Sequence, residues 1–359
     1  MAARRAEARL LVDWRDESRL KSMYYFHKKP NRETEAMFRE GINRTLNALR
    51  PFIFSVAECL LLLGIRKVVL IPGNGISTLP LHAIPLISKY LRFCDSFKVI
   101  YSPNATFWLW ANYQQSKRIG VGEFAGFAYP GRKGDTFRIE VEKVAKLCNR
   151  GKGVYVGKNA TAKNLWEVAP HVALLHISCH GSFELLSDED PELNAKAGIG
   201  MYRDWLSWDT FRKRLYLPLS RLVVLSACET LLTSHRDIAL RYFGLPYAFL
   251  SAGAPLILGT NWVVEGFSTA LLMTRFYENL LLKEMAASAA LAEAQHWIRT
   301  LDRGKVKRAI GKYFGCRRKL SWRLPDRAVE HPYEHPYYWA GFRLIGADFS
   351  MMVEKNETQ

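Results

Sequence analysis

Two apolar segments of the sequence each end in a side chain that can carry out nucleophilic or proton-transfer chemistry. HVALLHISC (171–179) leads directly into His180. RLVVLSA (221–227) leads directly into Cys228. If both segments are parallel strands, their carboxyl ends meet at the edge of the sheet where open α/β folds bind ligands. A neighbouring imidazole can activate a thiol, which is mostly protonated at neutral pH, and can later protonate a leaving amine.

Two further features support this pairing of a histidine with a cysteine. Gly181 has no Cβ, so its N–H can approach a substrate carbonyl and, with the Cys228 N–H, form an oxyanion hole. The histidine precedes the cysteine by 48 residues, close to the separation of about 50 in caspase-type proteases, although the QAC motif of those enzymes is absent. The alternative is that Cys228 is an inert buried thiol and His180-Gly181 an ordinary turn.

Composition limits the class of protein. The chain has 359 residues, of which 49% are hydrophobic and 13% aromatic, so it can bury a large core and is neither disordered nor collagen-like. Six cysteines without CxxC pairs indicate a reducing compartment rather than a disulfide or zinc framework. The net charge of +17 permits nucleic acid, anionic membrane or acidic protein partners.

Localisation is predicted from the apolar segments. The first twenty residues lack the apolar stretch of a signal peptide. The longest uncharged run, 242–264, is interrupted by several glycines and prolines, which argues against a membrane-spanning helix. We therefore expect a cytoplasmic protein that makes no membrane contact.

The order of helical and apolar patterns predicts an α/β fold. Residues 1–39 read as a charged, partly helical arm, followed by a longer helical pattern, and another helix is expected around 80–92. The Gly-rich stretch 120–135 predicts a boundary between two parts of the chain. Apolar strands that alternate with helices are typical of a parallel sheet covered on both faces. The predicted strands are 67–71, 97–103, 153–157, 171–178, 221–227 and 255–261.

Several collinear motifs resemble the CHAT domain, a family of caspase-like cysteine peptidases in the clan that also contains separase. The similarity extends over roughly residues 40–347. The motifs are VVLIPGNGISTLPLHAIP (68–85), His180-Gly181 after an apolar strand, LVVLSACET (222–230), AFLSAGAPLILGTNWVV (248–264), STALLMTRFYENLL (268–281), AEAQHWIR (292–299) and HPYYWAGFRLIG (335–346).

The resemblance implies a caspase-hemoglobinase-like three-layer α/β sandwich with a mostly parallel sheet. Its halves would be a degenerate, non-catalytic one at 40–119 and a catalytic one at 120–350, with a tail at 351–359. His180 maps onto the catalytic histidine, Cys228 onto the nucleophile, and Gly181 onto the oxyanion contributor. Such domains need no cofactor, and commonly cleave a partner protein at one or few sites after a sensor activates them, often in bacterial defence. No sensor repeat is visible here, so either a separate protein supplies that signal or this sequence is the peptidase part of something larger.

The sequence departs from the family pattern after the nucleophile. Leu231 replaces the usual glycine, and the only acid near the position that would favour a basic P1 side chain is Asp237. The P1 preference is therefore open. Asn261, Trp262 and Glu265 are expected to line the substrate cleft, although Trp262 fits the core equally well.

Two other groups of residues have types that could bind a partner or a metal ion. Between Arg299 and Arg327 lie 11 Lys and Arg residues and two acids, a pattern that suits nucleic acid or an acidic partner but more often forms a solvated connector. An alternative function is thus a catalytically idle CHAT-like scaffold that binds through this basic surface. His176, Cys179 and His180 lie close in sequence, but Cys179 points away from the other two on a strand, so no metal site is expected.

Overall fold

The computed structural model describes most of the chain as one continuous α/β architecture. The described residues are 32–73, 76–77, 79–87, 91–118, 122–132, 135–148, 151–182, 198–228, 230–231, 244–314 and 329–351. Most of the predicted arm, Asp237 and the 315–328 part of the basic cluster lie outside these residues.

A mixed, mostly parallel sheet forms the centre of the molecule. Its order is β1-β2-β11-β10-β9-β5-β3-β4, and β6, β7 and β8 form a small separate antiparallel sheet. The strands are β1 (Lys67–Leu70), β2 (Lys98–Tyr101), β3 (Phe124–Tyr129), β4 (Gly151–Val156), β5 (Leu174–Cys179), β6 (Gly181–Ser182), β7 (Gly198–Met201), β8 (Asp204–Ser207), β9 (Leu222–Ser226), β10 (Leu256–Thr260) and β11 (Phe342–Gly346).

The main sheet consists of two parallel groups that run in opposite directions. Strands β4, β3, β5, β9 and β10 are parallel to one another. Strand β11 is antiparallel to β10 and parallel to β2, which is parallel to β1. The last strand of the chain therefore lies between the two groups and joins them.

Helices cover both faces of the sheet, which gives the three layers that the sequence predicts. One face packs against α1, α2, α4, α8, α9 and α10, and the other against α3, α5, α6 and α7. The helices are α1 (Arg32–Leu62), α2 (Phe93–Ser96), α3 (Ala105–Ser116), α4 (Thr136–Cys148), α5 (Ala162–Val168), α6 (Trp208–Arg214), α7 (Leu245–Ser251), α8 (Gly266–Tyr277), α9 (Ala287–Thr300) and α10 (Arg303–Phe314).

By length and composition alone, helix α1 could cross a membrane. Of the 18-residue stretch of this helix that meets the test, 22% is buried. Phe38, Ile42 and Leu46 lie at helical spacing on one face and pack into the core. A helix that is mostly buried in a protein core passes the same test of length and composition. The helix begins before residue 40, so it crosses the expected boundary between arm and domain.

One strand was not predicted from the sequence, and one predicted helix is wrong. The Gly-rich stretch contains β3, a buried strand between β4 and β5. A Cβ at Gly126 would lie 2.4 Å from a methyl carbon of Val141, so the small residues that resemble a linker allow α4 to pack closely on the strand. The helix expected around 80–92 is a short 3₁₀ turn at Leu81–Ala83, because Pro85 cannot continue a helical hydrogen-bond pattern.

Arg299 forms a buried ion pair that links distant parts of the chain. Its Nη2 donates to both carboxylate oxygens of Asp95, and the side chain of Arg299 is 5% exposed. The guanidinium also lies over the Trp339 ring, 5.1 Å from its centroid. Arg299 is therefore a structural residue of the core and does not contribute to the basic surface predicted from 299 to 327.

We expect Asp95→Asn to lower the free energy of unfolding by about 3 kcal/mol or more, because it leaves the buried Arg299 cation without a carboxylate. The matched control is Glu40→Gln, which removes the partner of Arg44 in an exposed pair one helical turn apart. That change is expected to cost at most about 0.5 kcal/mol. Urea denaturation of the three proteins measures both effects, and equal losses would contradict the structural role of Arg299.

Candidate active site

The pairing of β5 with β9 brings His180 and Cys228 to neighbouring positions. Leu174 lies opposite Leu222 and Ser178 opposite Ser226. Continuing this register by two residues places His180 opposite Cys228. The separation of 48 residues between them along the sequence therefore equals the offset between paired residues of β5 and β9, and this pairing brings them to the carboxyl ends of neighbouring strands.

Gly181 lies directly against the backbone of Cys228. A Cβ built at Gly181 would be 2.4 Å from the Cys228 carbonyl oxygen, 3.4 Å from its nitrogen and 3.2 Å from the Ala227 Cβ. Only a residue without a side chain fits this gap without displacing one of the strand ends. The main chains of the two residues expected to form an oxyanion hole are thus in contact.

His180 is held by its main chain and by one aromatic ring. Its carbonyl oxygen accepts a hydrogen bond of 2.8 Å from the N–H of Gly200 in β7. The imidazole meets the ring of Phe137, in the first turn of α4, edge to face with centroids 5.0 Å apart. The side chain is otherwise exposed, so the imidazole is oriented and still accessible from solvent.

Cys228 sits in a turn that hydrogen bonds hold between β9 and β10. Thr230 Oγ1 donates to the Leu225 carbonyl at 3.2 Å and accepts from the Thr260 N–H at 3.0 Å. Thr260 Oγ1 in turn donates to the Ala227 carbonyl. The nucleophile candidate is half-buried, at the exposed edge of a rigid frame.

A buried group of polar residues lies under this edge, on the same face of the sheet. His176 Nε2 is 2.8 Å from Glu140 Oε1, and His176 Nδ1 is 3.2 Å from the Tyr277 hydroxyl. Burial raises the pKa of Tyr277, so it remains a neutral phenol. Glu140 was not predicted as part of this group, yet it shares a helix face with the apolar residues Val144 and Cys148, which signals a buried acid.

The accessibility of the thiols differs sharply. Burial raises the pKa of Cys94 and Cys148 to about 12 and that of Cys179 still further. Thiols of this kind are inert, because the thiolate is the nucleophile. Cys59, on α1, is exposed. Cys228 is thus the partly accessible thiol that stands at the carboxyl edge of the sheet.

Cys179 packs in the core on the face opposite His176, as strand alternation predicts. Within the described part of the chain, no group of three or more His, Cys, Asp or Glu residues has the geometry to hold a metal ion.

Two of the residues expected to line a substrate cleft lie in the core or at the start of a helix. Trp262 is in the core, where its Nε1 donates to the Tyr337 carbonyl at 2.9 Å and its ring meets Phe38 edge to face. Glu265 is the N-cap of α8 and accepts from two backbone N–H groups, and burial raises its pKa. Both placements favour structural roles over a role in the cleft.

Asn261 is also buried, and its N–H donates to the Gly341 carbonyl at 3.0 Å. Asp237 lies outside the described residues, so its expected role in the cleft stays a prediction.

A mostly parallel sheet between two helix layers, with a cysteine and a histidine at adjacent strand ends, defines a caspase-like α/β architecture. The family model described as the CHAT domain matches residues 44–347. The chain therefore belongs to the CHAT domain family.

Solved structures share this fold. The chain is similar to the Saccharomyces cerevisiae separase–securin complex, with 13% identity and a TM-score of 0.50 over 80% of this chain and 16% of that chain. It is also similar to the Arg-specific cysteine proteinase gingipain R, with 11% identity and a TM-score of 0.50 over 85% of this chain and 68% of that one. A comparison with curated protein sequences gives no match.

We expect Gly181→Ala to destabilise the protein by about 1–3 kcal/mol, because the new methyl group overlaps the Cys228 carbonyl and forces the ends of β5 and β9 apart. Gly200→Ala is the matched control, since its Cβ would meet no atom closer than 3.7 Å. That variant should unfold within about 0.5 kcal/mol of the unaltered protein. Denaturant titration compares the two, and a neutral Gly181→Ala would contradict the close approach.

Proposed function

We propose that this protein is a cysteine endopeptidase in which Cys228 is the nucleophile and His180 the proton shuttle. The observation that carries the proposal is the β5–β9 register, which sets the two residues side by side at the carboxyl edge of the sheet. His180 takes the thiol proton as the Cys228 sulfur attacks the scissile carbonyl carbon. The carbon–nitrogen bond then breaks, His180 protonates the leaving amine, and a water molecule hydrolyses the thioester.

The negative charge that develops on the carbonyl oxygen needs hydrogen-bond donors. The contact between Gly181 and the Cys228 backbone supports assigning this role to the N–H groups of these two residues. Main-chain donors held in place cost no reorganisation during the reaction. The proposed chemistry uses side chains and main chain alone and requires no cofactor.

We further propose that the substrate is a partner protein cut at one or few sites in the cytoplasm, and that a separate sensor protein gates the reaction, plausibly in bacterial defence. The family membership supports this view. A single exposed imidazole beside a half-buried thiol supports a reaction that depends on how the partner docks. The chain spans 16% of the length of the separase chain it resembles.

Cys228→Ala is expected to abolish proteolysis, because it removes the only atom that forms the covalent intermediate. The protein and the variant are incubated with proteins encoded alongside it and with a denatured peptide library, and new N-termini are read by mass spectrometry. Cys59→Ala, which removes an exposed thiol far from the strand ends, should leave every cut in place. Cuts that persist in Cys228→Ala would refute the proposal.

Thiol alkylation tests the site without a substrate. Near neutral pH, iodoacetamide should modify Cys228 faster than Cys59, and His180→Ala should slow the modification of Cys228 alone, because it removes the base that activates this thiol. Cys94 and Cys148 should stay unmodified in the folded protein. Peptide mass spectrometry gives the rate at each cysteine, and equal rates at Cys228 and Cys59 would argue for an idle site.

An idle scaffold is the second candidate, and helix α10 is the observation that favours it. Lys305, Lys307, Arg308 and Lys312 are exposed on this helix, while Val306 and Ile310 face the core. A basic helix face of this kind suits a nucleic acid or an acidic partner. If this function holds, the protein is retained on DNA or RNA in a salt-dependent manner, and Cys228 shows no enhanced alkylation.

A further inference from the structure

A small cavity lies beside β11, on the face of the sheet that packs against α7. Its volume is about 80 Å³, which is room for several water molecules or for one small ionic group. Arg343 forms part of its wall, and the side chain of this residue is only 4% exposed. The other lining residues used below are Ser77, Tyr101, Leu231 and Tyr247.

The charge of Arg343 is incompletely compensated. Its Nη1 donates to the Ser77 carbonyl, and the guanidinium lies over the Tyr101 ring, 4.6 Å from the centroid. Its Nε has no hydrogen-bond partner. Over the described ranges, no carboxylate lies within ion-pair distance of Arg343. A buried cation without an anionic partner carries a large desolvation cost.

The neighbouring groups do not supply the missing charge. The Tyr101 hydroxyl interacts with the Arg343 side chain, and also with the main-chain N–H of His82 at 3.1 Å and with its Nδ1 at 2.9 Å. Burial raises the pKa of Tyr101 to about 12, so it is a neutral phenol. Burial, and then the charge of Arg343, lower the pKa of His82 to about 3, so this imidazole is neutral. Burial lowers the pKa of Arg343 to about 10, which leaves it cationic near neutral pH.

We propose that this cavity is a binding site for the carboxylate or phosphate group of a small molecule, with Arg343 as the cationic ligand. The guanidinium group of Arg343 forms part of the cavity wall, and its planar shape matches the geometry of both groups. Leu231 gives the lining an apolar part beside Arg343, and the attraction between opposite charges is stronger in such surroundings than in open water.

The site is separate from the proposed catalytic pair but is connected to it by a short stretch of the chain. Leu231 follows Cys228 by three residues, and its N–H donates to the Thr260 carbonyl at 2.8 Å. The cavity and the nucleophile turn therefore share one stretch of chain. The inference goes beyond the proposed peptidase function, since anion binding requires no cleavage and can be measured in its absence.

Isothermal titration of the full chain with inorganic phosphate, and separately with acetate, tests the proposal. We expect at least one of the two anions to bind, and Arg343→Met to weaken that binding at least ten-fold, about the effect of losing one charge-assisted hydrogen bond. Arg66→Met removes the same charge from an exposed position and should bind as the unaltered protein does. If one of the two anions binds and the other does not, the result shows whether the site takes a carboxylate or a phosphate group.

A second variant covers the case in which Arg343→Met does not fold. Ser77→Leu keeps Arg343 and the carbonyl that it contacts but fills the cavity, and it should also weaken binding at least ten-fold. The inference is overturned if neither anion binds the unaltered protein at millimolar concentration. It is also overturned if Arg343→Met, or Ser77→Leu where the former is unfolded, binds as tightly as the unaltered protein.

Discussion

The parallel pairing of β5 with β9 is the constraint on which the rest of the site depends. Because its register equals the distance in sequence between His180 and Cys228, two residues that are far apart in the chain become neighbours. The surrounding contacts fix this one arrangement. Strand β7 holds the main chain of His180, and the hydrogen bonds of Thr230 and Thr260 hold the turn after β9.

The sheet also unites the early and late parts of the chain. Strand β11 comes near the end of the described chain, yet it lies between β10 and β2. The ion pair of Arg299 with Asp95 makes a second link between the same regions. Residues from α1, from β2 and from the last helices share one hydrophobic core. The strands that carry the cysteine and histidine are therefore supported by segments that have no part in the chemistry.

The structural elements that could be predicted from the sequence are those marked by a local pattern of residues. Apolar runs such as 221–227 form strands, and their last residues mark the edge where reactive side chains gather. Strand β3 was not predicted because its glycine and alanines resemble a linker. The glycine is needed there because α4 packs closely on the strand. The roles of Trp262 and Glu265 depend on Tyr337 and on the start of α8, which only the tertiary fold brings near them.

Charge patterns were less informative than apolar ones, for a related reason. Arg299 belongs to a basic run in the sequence, but its partner Asp95 is about two hundred residues away. Glu140 and His176 meet only because α4 packs across β5. Counting charges along the chain therefore does not show which residues of a charged run are buried and which lie on the surface.

The position of β11 limits how the chain can be divided. If the residues before 120 were removed, the outer edge of β11 would lose its neighbour β2, and the backbone groups of a buried strand would face solvent. Exposed strand edges of this kind recruit other chains and promote aggregation. Arg299 would lose Asp95 in the same event. The residues before 120 therefore cover the edge of β11 and complete the sheet, so the chain cannot be divided at this point without exposing a strand edge.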